Sequence, residues 1–231
     1  MKIIKKLRNS AVTSYEKNIL DFTERNNNHR FLDCGCDDGK WTKKVINKGN
    51  FSPENSYGIE IIKNRALAAR KRGIKVRLCD LNRNLPYKDN FFDLVHANQV
   101  IEHLYDTNHF LSEIYRVTKK GGYIIICTEN LSSWHNIFSL FFGFQPFSLT
   151  NVSSKFFGIG NPLSPHYREA MKKPNTWQHI RVFAYRGLVE HIQEAGFKIE
   201  SIKGSGYYPI NILSKIDPRH SAFLTVKGRK L

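Results

Sequence analysis

Short apolar segments alternate with segments of helical periodicity between residues 30 and 130. The strand-like segments are 30–34, 57–61, 75–79, 92–97 and 123–128, and the helix-like segments are 40–48, 63–72 and 107–118. Strands and helices that alternate in this way form β-α-β units around a parallel sheet. The pattern resumes with a helix over 186–195 and a strand over 197–202. We therefore predict an α/β fold with a doubly wound, mostly parallel sheet.

The chain length and the breaks in this rhythm predict the domain organisation. A chain of 231 residues suffices for one well-buried domain but is short for two. Residues 2–24 have the pattern of a basic amphipathic helix, so residues 1–29 form an N-terminal helical segment. The main domain then covers 30–231. Residues 131–180 break the rhythm and are predicted to be an apolar insertion that forms a lid after the fifth strand.

The net charge and the cysteines indicate the cellular compartment and the classes of binding partner. The net charge is +16, and a surplus of this size favours nucleic acid, anionic lipid or phosphorylated substrates, although scattered basic residues also occur simply for solubility. The four cysteines have no zinc-site spacing. No signal peptide or membrane-spanning stretch is recognisable. We predict a reduced, cytoplasmic setting, with peripheral contact to an anionic membrane as an alternative.

Polar residues follow the predicted strands, where open parallel sheets bind their ligands. They are Asp33 to Gly35, Glu60, Asp80, Asn98 and Thr128. Glycines in the first turn, Gly35 and Gly39, let a backbone approach a ligand closely. The turn lacks the G-x-G-x-x-G spacing of dinucleotide sites, and Asp33 would repel a pyrophosphate. A ligand that carries an ammonium group suits this turn better.

The next two acids complete a ligand pattern. Glu60 can accept hydrogen bonds from both hydroxyls of a ribose. Asp80 can accept one from an exocyclic amine such as that of adenine. Each acid alone could be a solvated residue at a strand end. Together with the glycine turn they indicate an adenosyl ligand without phosphates.

Five motifs in this order resemble the class I S-adenosylmethionine-dependent methyltransferases, especially the group with the ubiquinone-biosynthesis enzymes. The motifs are 31–39, 57–61, 79–81, 91–104 and 113–123. The resemblance implies a Rossmann-like, seven-stranded sheet and S-adenosyl-L-methionine as the cofactor. The implied cofactor-binding residues are Asp33, Gly35, Cys36 and Gly39 at the methionine part, Glu60 and Ile61 at the ribose and adenine, Asp80 and Leu81 at the adenine, and Asn98 at the methionine end. One departure is Asp37, which stands where the family usually has a glycine.

The pair Glu102-His103 raises the question of a metal. Some small-molecule and RNA-end methyltransferases use a Glu-x-x-Glu-His sequence as part of a metal site. Here the first position is Gln99, a poorer ligand for a hard cation than a carboxylate. Glu-His also occurs in members without metal, so the sequence predicts no metal site.

Methyl transfer needs a base only if the acceptor is a hydroxyl or a protonated amine. The histidines placed to act as one are His103, His135, His166 and His179. We select His103 and His179 as the catalytic candidates. His179 and Arg181 could face the acceptor from the returning half of the domain, although any single histidine can be structural.

The composition of the insertion gives information about the class of methyl acceptor. Its first part, 130–147, is unusually apolar for a surface excursion, which fits a hydrophobic lid, a membrane-surface patch or simple packing on the sheet. We predict a methyltransferase acting on a small-molecule, glycan or lipid-linked acceptor. A nucleic-acid methyltransferase, encouraged by the charge, and a non-catalytic methyltransferase-like module remain the alternatives.

Overall fold

The computed structural model describes residues 2–153, 155–170, 178–208 and 211–231, and its centre is a seven-stranded sheet. The strands are β1 (Phe31–Cys34), β2 (Ser56–Glu60), β3 (Lys75–Leu78), β4 (Phe92–Asn98), β5 (Thr118–Glu129), β6 (Phe197–Ser205) and β7 (Phe223–Lys230). Their order is β3-β2-β1-β4-β5-β7-β6. The first five strands are parallel, and β7 runs antiparallel between β5 and β6. This confirms the predicted doubly wound, mostly parallel α/β fold.

The last strand of the chain was not located by the sequence analysis, although seven strands were expected. The segment 223–230 mixes apolar and basic residues and has no helix before it, so the β-α rhythm gives no signal there. It becomes a strand because both of its edges are paired, with β5 on one side and β6 on the other. The fifth strand also differs from expectation: it begins at Thr118 and runs through Gly121 and Gly122, where we expected a turn.

Within the described ranges, six α-helices surround the sheet. They are α1 (Lys2–Phe22), α2 (Lys40–Gly49), α3 (Lys63–Lys71), α4 (Thr107–Val117), α5 (Trp134–Phe141) and α6 (Tyr185–Glu194). The core divides into two apolar clusters, centred on residues such as Leu32 and Ile126 in one and Phe31 and Ile125 in the other. Because successive residues of a strand point to opposite faces, adjacent residues of β1 and β5 supply both clusters.

The N-terminal helix packs against the sheet. Ala11 and Ile19 of α1 are fully buried in the same cluster as Phe223 of β7. The Asn18 amide donates hydrogen bonds to the Gly204 carbonyl and the Ser205 hydroxyl at the end of β6. Helix α1 therefore covers the antiparallel end of the sheet and belongs structurally to the same body.

The insertion is held by buried amides. Asn130, Asn136 and Asn161 are each fully buried and donate hydrogen bonds within the insertion or to the 218–221 turn. Buried amides with satisfied donors fix a loop as firmly as apolar packing does. Residues 154 and 171–177 of the predicted insertion lie outside the described residues. None of the helices in the described ranges combines the length and the hydrophobicity of a membrane-spanning helix.

Candidate functional site

The turn after β1 has the tight backbone that the sequence predicted. Gly35 and Gly39 have φ angles of +75° and +80°, which L-residues with a side chain rarely adopt. A Cβ at Gly35 would lie 2.8 Å from Val100 Cγ2, and one at Gly39 would lie 2.7 Å from Ile74 Cδ1. Both glycines are therefore required by backbone geometry and by close packing. Cys36, between them in sequence, is buried with a free thiol.

Asp33 faces inward, beneath this turn. One carboxylate oxygen accepts from the Thr42 hydroxyl at 2.7 Å, and the other lies 2.7 Å from Nδ1 of the fully buried His96. Both oxygens already have partners, so Asp33 positions the loop and the start of α2. Neither oxygen of Asp33 is left free for the ammonium group of a cofactor. The contact that we predicted between Asp33 and such a group stays a prediction.

Asp37 occupies the position of the missing glycine and adopts a left-handed conformation, with φ +48°. Its backbone N–H donates to Glu60 Oε2 at 2.9 Å, and its carboxylate pairs with Arg65 at 2.7 Å. Glu60 Oε1 accepts from the N–H of Ile62. Glu60 thus ties the β1 turn to the end of β2. Aspartate tolerates left-handed backbone better than most residues, so the loop shape survives the departure from glycine.

Replacing Asp37 by valine is expected to destabilise the protein by about 1 kcal/mol more than replacing it by glycine, because a β-branched residue is strained at this φ. Both variants lose the ion pair with Arg65, which is partly exposed and contributes little. The glycine variant therefore serves as the matched control. Urea unfolding of the three proteins measures the difference, and equal midpoints for the valine and glycine variants would show that Asp37 is not held in this conformation.

The remaining predicted cofactor residues lie at the carboxyl ends of β2, β3 and β4. Asp80 Oδ1 accepts two hydrogen bonds from Asn82, and Leu81 is buried beside it. Ile61 is 54% exposed, an apolar surface next to Glu60. Asn98 Oδ1 is buried and has no hydrogen-bond partner among the residues that the structure describes. An orphaned buried acceptor is rare in a folded protein and points to a ligand at this edge.

Next to this edge lies a cavity of about 440 Å³. Its walls include Leu7, Arg8, Val12 and Tyr15 of α1, Gln99, Glu129, residues of the insertion, and Tyr208, Ala222 and Phe223 near β7. None of the nine predicted cofactor residues lines it, but Gln99 follows Asn98 directly. All four candidate histidines do line it. The cavity is thus placed to take an acceptor beside the predicted cofactor residues.

His103 and His179 lie together at this cavity, with ring centroids 4.9 Å apart. Nδ1 of His103 is 2.9 Å from the Gln178 carbonyl, and Nδ1 of His179 is 2.6 Å from the Ser148 carbonyl. Because a carbonyl oxygen can only accept, each Nδ1 carries the proton when the ring is neutral. Each Nε2 then keeps its lone pair. Burial lowers the pKa of His103, which favours its neutral form.

Glu102 lies beside the two histidines and is fully buried. Its Oε2 accepts from the Thr128 hydroxyl at 2.8 Å, whereas none of the described side chains or backbone groups bonds with Oε1. Burial raises the pKa of Glu102 to about 7, against the opposing effect of His179. A carboxyl with such a pKa can hold or release a proton near neutral pH.

One ligand atom from each of Glu102, His103 and His179 lies within 4.8 Å of the others. These three groups could hold a divalent cation, since histidines whose Nδ1 donates to a carbonyl present Nε2 to a metal. The sequence analysis predicted no metal because it weighed only Gln99, Glu102 and His103. His179 is far away in sequence and reaches the cluster only through the fold.

The other two candidate histidines have different surroundings. His135 packs edge-on against Tyr208 and at a tilt against Phe147, and burial lowers its pKa to about 4. It is therefore neutral at physiological pH and acts as an aromatic wall. His166 is half exposed and pairs with Glu169. Residues that sequence reasoning missed are Glu129 and Tyr208, which carry no motif and join the site through β5 and the segment after β6.

Residues 32–126 match the methyltransferase domain family. An uncharacterized protein of Methanocaldococcus jannaschii is 24% identical, with 87% of this chain and 82% of that protein covered. A demethylmenaquinone methyltransferase of Lactiplantibacillus plantarum is 28% identical, with 74% and 71% covered. The mitochondrial ubiquinone biosynthesis O-methyltransferase of Rattus norvegicus is 24% identical, with 79% of this chain but 48% of that protein covered.

Solved structures share the fold. A SAM-dependent methyltransferase from Thermotoga maritima superposes with a TM-score of 0.64 at 21% identity and covers 97% of this chain and 91% of that one. One from Mesorhizobium loti gives 0.60 at 19% identity, with 97% and 100% covered. Residues 32–126 thus form a methyltransferase domain, and the sheet order and the strand-end motifs agree with the class I S-adenosylmethionine-dependent methyltransferases that the sequence resembles. S-Adenosylmethionine is the cofactor of this class.

The residues of this chain fit that cofactor. The glycine turn leaves room for a close backbone approach, acids end β2 and follow β3, and an apolar side chain, Ile61, is exposed between them. The orphaned Asn98 oxygen faces the same edge of the sheet and suits a hydrogen-bond donor such as an ammonium group. Which of these residues contact the cofactor stays a prediction.

Proposed function

We propose that the protein transfers a methyl group to a hydroxyl oxygen of an acceptor that has an apolar body. The observation that carries this proposal is the pair of histidines at the cavity, each with Nδ1 held by a carbonyl and Nε2 available as a base. A hydroxyl is a weak nucleophile and gains most from such a base. S-Adenosylmethionine supplies a methyl group that is bonded to a sulfonium sulfur. The methyl carbon is the electrophile, and the rest of the molecule leaves as a neutral thioether.

The residues divide the work. His103 or His179 accepts the hydroxyl proton at Nε2 as the oxygen attacks the methyl carbon. Glu102 lies beside both rings, and its ionised carboxylate stabilises the positive charge of the protonated histidine. The walls of the cavity orient the hydroxyl toward the histidines. The negative charge of the oxygen nucleophile is consumed in the new C–O bond, so no anion remains to be stabilised.

The lining of the cavity supports a small or lipid-linked acceptor over a glycan. Tyr15, His135, Phe147, Tyr208 and Phe223 supply aromatic surface, which binds apolar or planar groups. The relative named as a ubiquinone biosynthesis O-methyltransferase fits the same chemistry, since a quinol offers a hydroxyl on a planar ring. Polar side chains such as Arg8, Gln99 and Glu129 also line the cavity, so the preference rests on the aromatic surface.

A labelled-methyl assay tests the proposal. Purified protein is incubated with methyl-labelled S-adenosylmethionine and cell extract separated into lipid, small-molecule, glycan, RNA and protein fractions. We expect label in the lipid or small-molecule fraction, in an ether linkage that survives mild base, which would cleave an ester. Label in RNA or protein would contradict the proposed acceptor.

Saturating S-adenosylmethionine is expected to raise the thermal midpoint by roughly 5–10 °C. A ligand at about 100 times its Kd stabilises the native state by about 2.7 kcal/mol, and a domain of this size gains about 2–4 °C per kcal/mol. Asp80→Ala should reduce the shift, whereas Asp21→Ala, an exposed carboxylate on α1 paired with Lys203, should not. Equal shifts in both variants would remove Asp80 from the cofactor site.

A further inference from the structure

Helix α5 presents apolar side chains to solvent. Phe141 is 82% exposed, and Trp134, Phe138 and Phe142 are about half exposed. We call Trp134, Ile137, Phe138, Phe141 and Phe142 the α5 face. Monomeric proteins rarely expose so many large apolar groups together, and such patches mark interaction surfaces.

The α5 face is continuous with the acceptor cavity. An apolar groove runs along it, and His135, Phe147 and Tyr208 line both the groove and the cavity. The groove itself is almost wholly apolar. A molecule that arrives from the α5 face therefore meets the cavity without crossing a polar barrier formed by the described side chains.

The α5 face itself is uncharged, and basic residues outnumber acids in the segments 1–15 and 211–221. Residues 131–153 contain no Lys, Arg, Asp or Glu. Residues 1–15 carry four basic residues and no acid, and Arg8 from this stretch lines the cavity. Among the described side chains, the apolar helix thus has Arg8 at the cavity and the exposed Arg219 in the turn beside Trp134 as basic neighbours, with Asp217 paired to Arg219.

A second exposed apolar segment adjoins it. In the short helix Asn211–Lys215 and the turn after it, Ile212 and Ile216 are exposed beside the basic residue Lys215. Trp134 joins the two segments, since its indole stacks on His220 with centroids 4.5 Å apart and its N–H donates to the Tyr207 hydroxyl. A tryptophan with a polar partner at the edge of an apolar surface is typical of proteins that bind at a membrane interface.

We propose that the α5 face, with Ile212 and Ile216, docks on an anionic lipid bilayer and opens the acceptor cavity toward it. Helix α5 has eight residues, so it lies in the interface rather than crossing it. Cations beside the apolar groups attract anionic headgroups. A second copy of the chain fits less well, because a twofold dimer brings identical patches together and would oppose the same cationic rims.

Vesicle co-sedimentation without cofactor tests the docking separately from methyl transfer. The probes are vesicles of phosphatidylcholine alone and of phosphatidylcholine mixed with phosphatidylglycerol. We expect the wild type to partition onto the mixed vesicles and far less onto the neutral ones. The double variant Phe141→Ser/Ile216→Ser should bind the mixed vesicles about tenfold more weakly, as loss of buried apolar groups implies.

The matched control is Leu67→Ser/Leu231→Ser, which removes two exposed leucines away from the α5 face and leaves the charge unchanged. It should bind as the wild type does. Equal recovery of the wild type with and without vesicles would overturn the proposal. So would binding that survives Phe141→Ser/Ile216→Ser, which would reflect charge alone, or a dimer in solution that this variant dissociates while vesicles capture neither form.

Discussion

Replacing His179 by glutamine is expected to lower the rate constant of methyl transfer about a hundredfold or more while leaving the KM for S-adenosylmethionine nearly unchanged. A positioned general base contributes roughly 10²–10⁴ to a rate. His179 borders the acceptor cavity rather than the predicted cofactor residues. Glutamine can still donate to the Ser148 carbonyl, so the loop should remain in place, but it provides no basic nitrogen.

The same change at His103 shows which of the two rings is the base. His103→Gln is expected to lower the rate less than His179→Gln, and the pH dependence of the rate should lose its rising limb only in His179→Gln. The reverse result would assign the base to His103. His29→Gln is the control, because His29 precedes β1 at the opposite edge of the sheet. Two variants with wild-type rates and pH profiles would contradict the base proposal.

A metal at the same cluster would give a different result. Dialysis against a chelator is expected to leave the rate unchanged if the histidines act as bases. A loss of activity that a divalent cation restores would instead assign Glu102, His103 and His179 as metal ligands. The chelator experiment therefore decides between the two roles that the geometry allows.

The second large effect concerns the stability of the protein as pH changes. Glu102→Gln is expected to raise the free energy of unfolding by about 3 kcal/mol at pH 8 and to change it little at pH 4. Burial raises the pKa of this carboxyl from 4.5 to about 7 in the folded protein. Between these values the native state holds a proton that the unfolded chain releases, so stability is lost as the pH rises toward 7. Each pKa unit corresponds to about 1.4 kcal/mol.

Glu113 provides a control, because its pKa is shifted in the opposite direction to that of Glu102. Hydrogen bonds from Arg116 lower the pKa of Glu113, so its contribution to stability is present at neutral pH and is lost as the pH falls. Glu113→Gln should therefore destabilise the protein at pH 7 and have less effect in acid. Urea unfolding at several pH values, with chelator present, measures both variants. A Glu102→Gln variant that is no more stable than the wild type at pH 8 would show that Glu102 is ionised and paired in the native state.

The sequence predicted where the polar strand-end residues lie, but not the residues that line the cavity. Gly35, Glu60 and Asp80 each lie at or just after the end of a strand, as predicted, and parallel strands bring their carboxyl ends to one edge of the sheet. Their contact with a cofactor stays a prediction. Their internal contacts were not foreseen. Asp33 bonds with Thr42 and His96, and Glu60 holds the backbone of Asp37, because hydrogen-bond partners of a buried carboxylate depend on side-chain directions that no spacing encodes.

What the sequence determined by itself is local: the β-α rhythm, the left-handed glycine turn and the order of acids along the strand ends. These follow from periodicity and from backbone sterics within a few residues. Only the tertiary structure decided that β7 enters between β5 and β6, that α1 covers the cavity, and that His179 meets His103 and Glu102. Those contacts join residues that are far apart in the chain. The burial of apolar surface brings them together, and it leaves no periodic pattern in the sequence from which the contacts could be predicted.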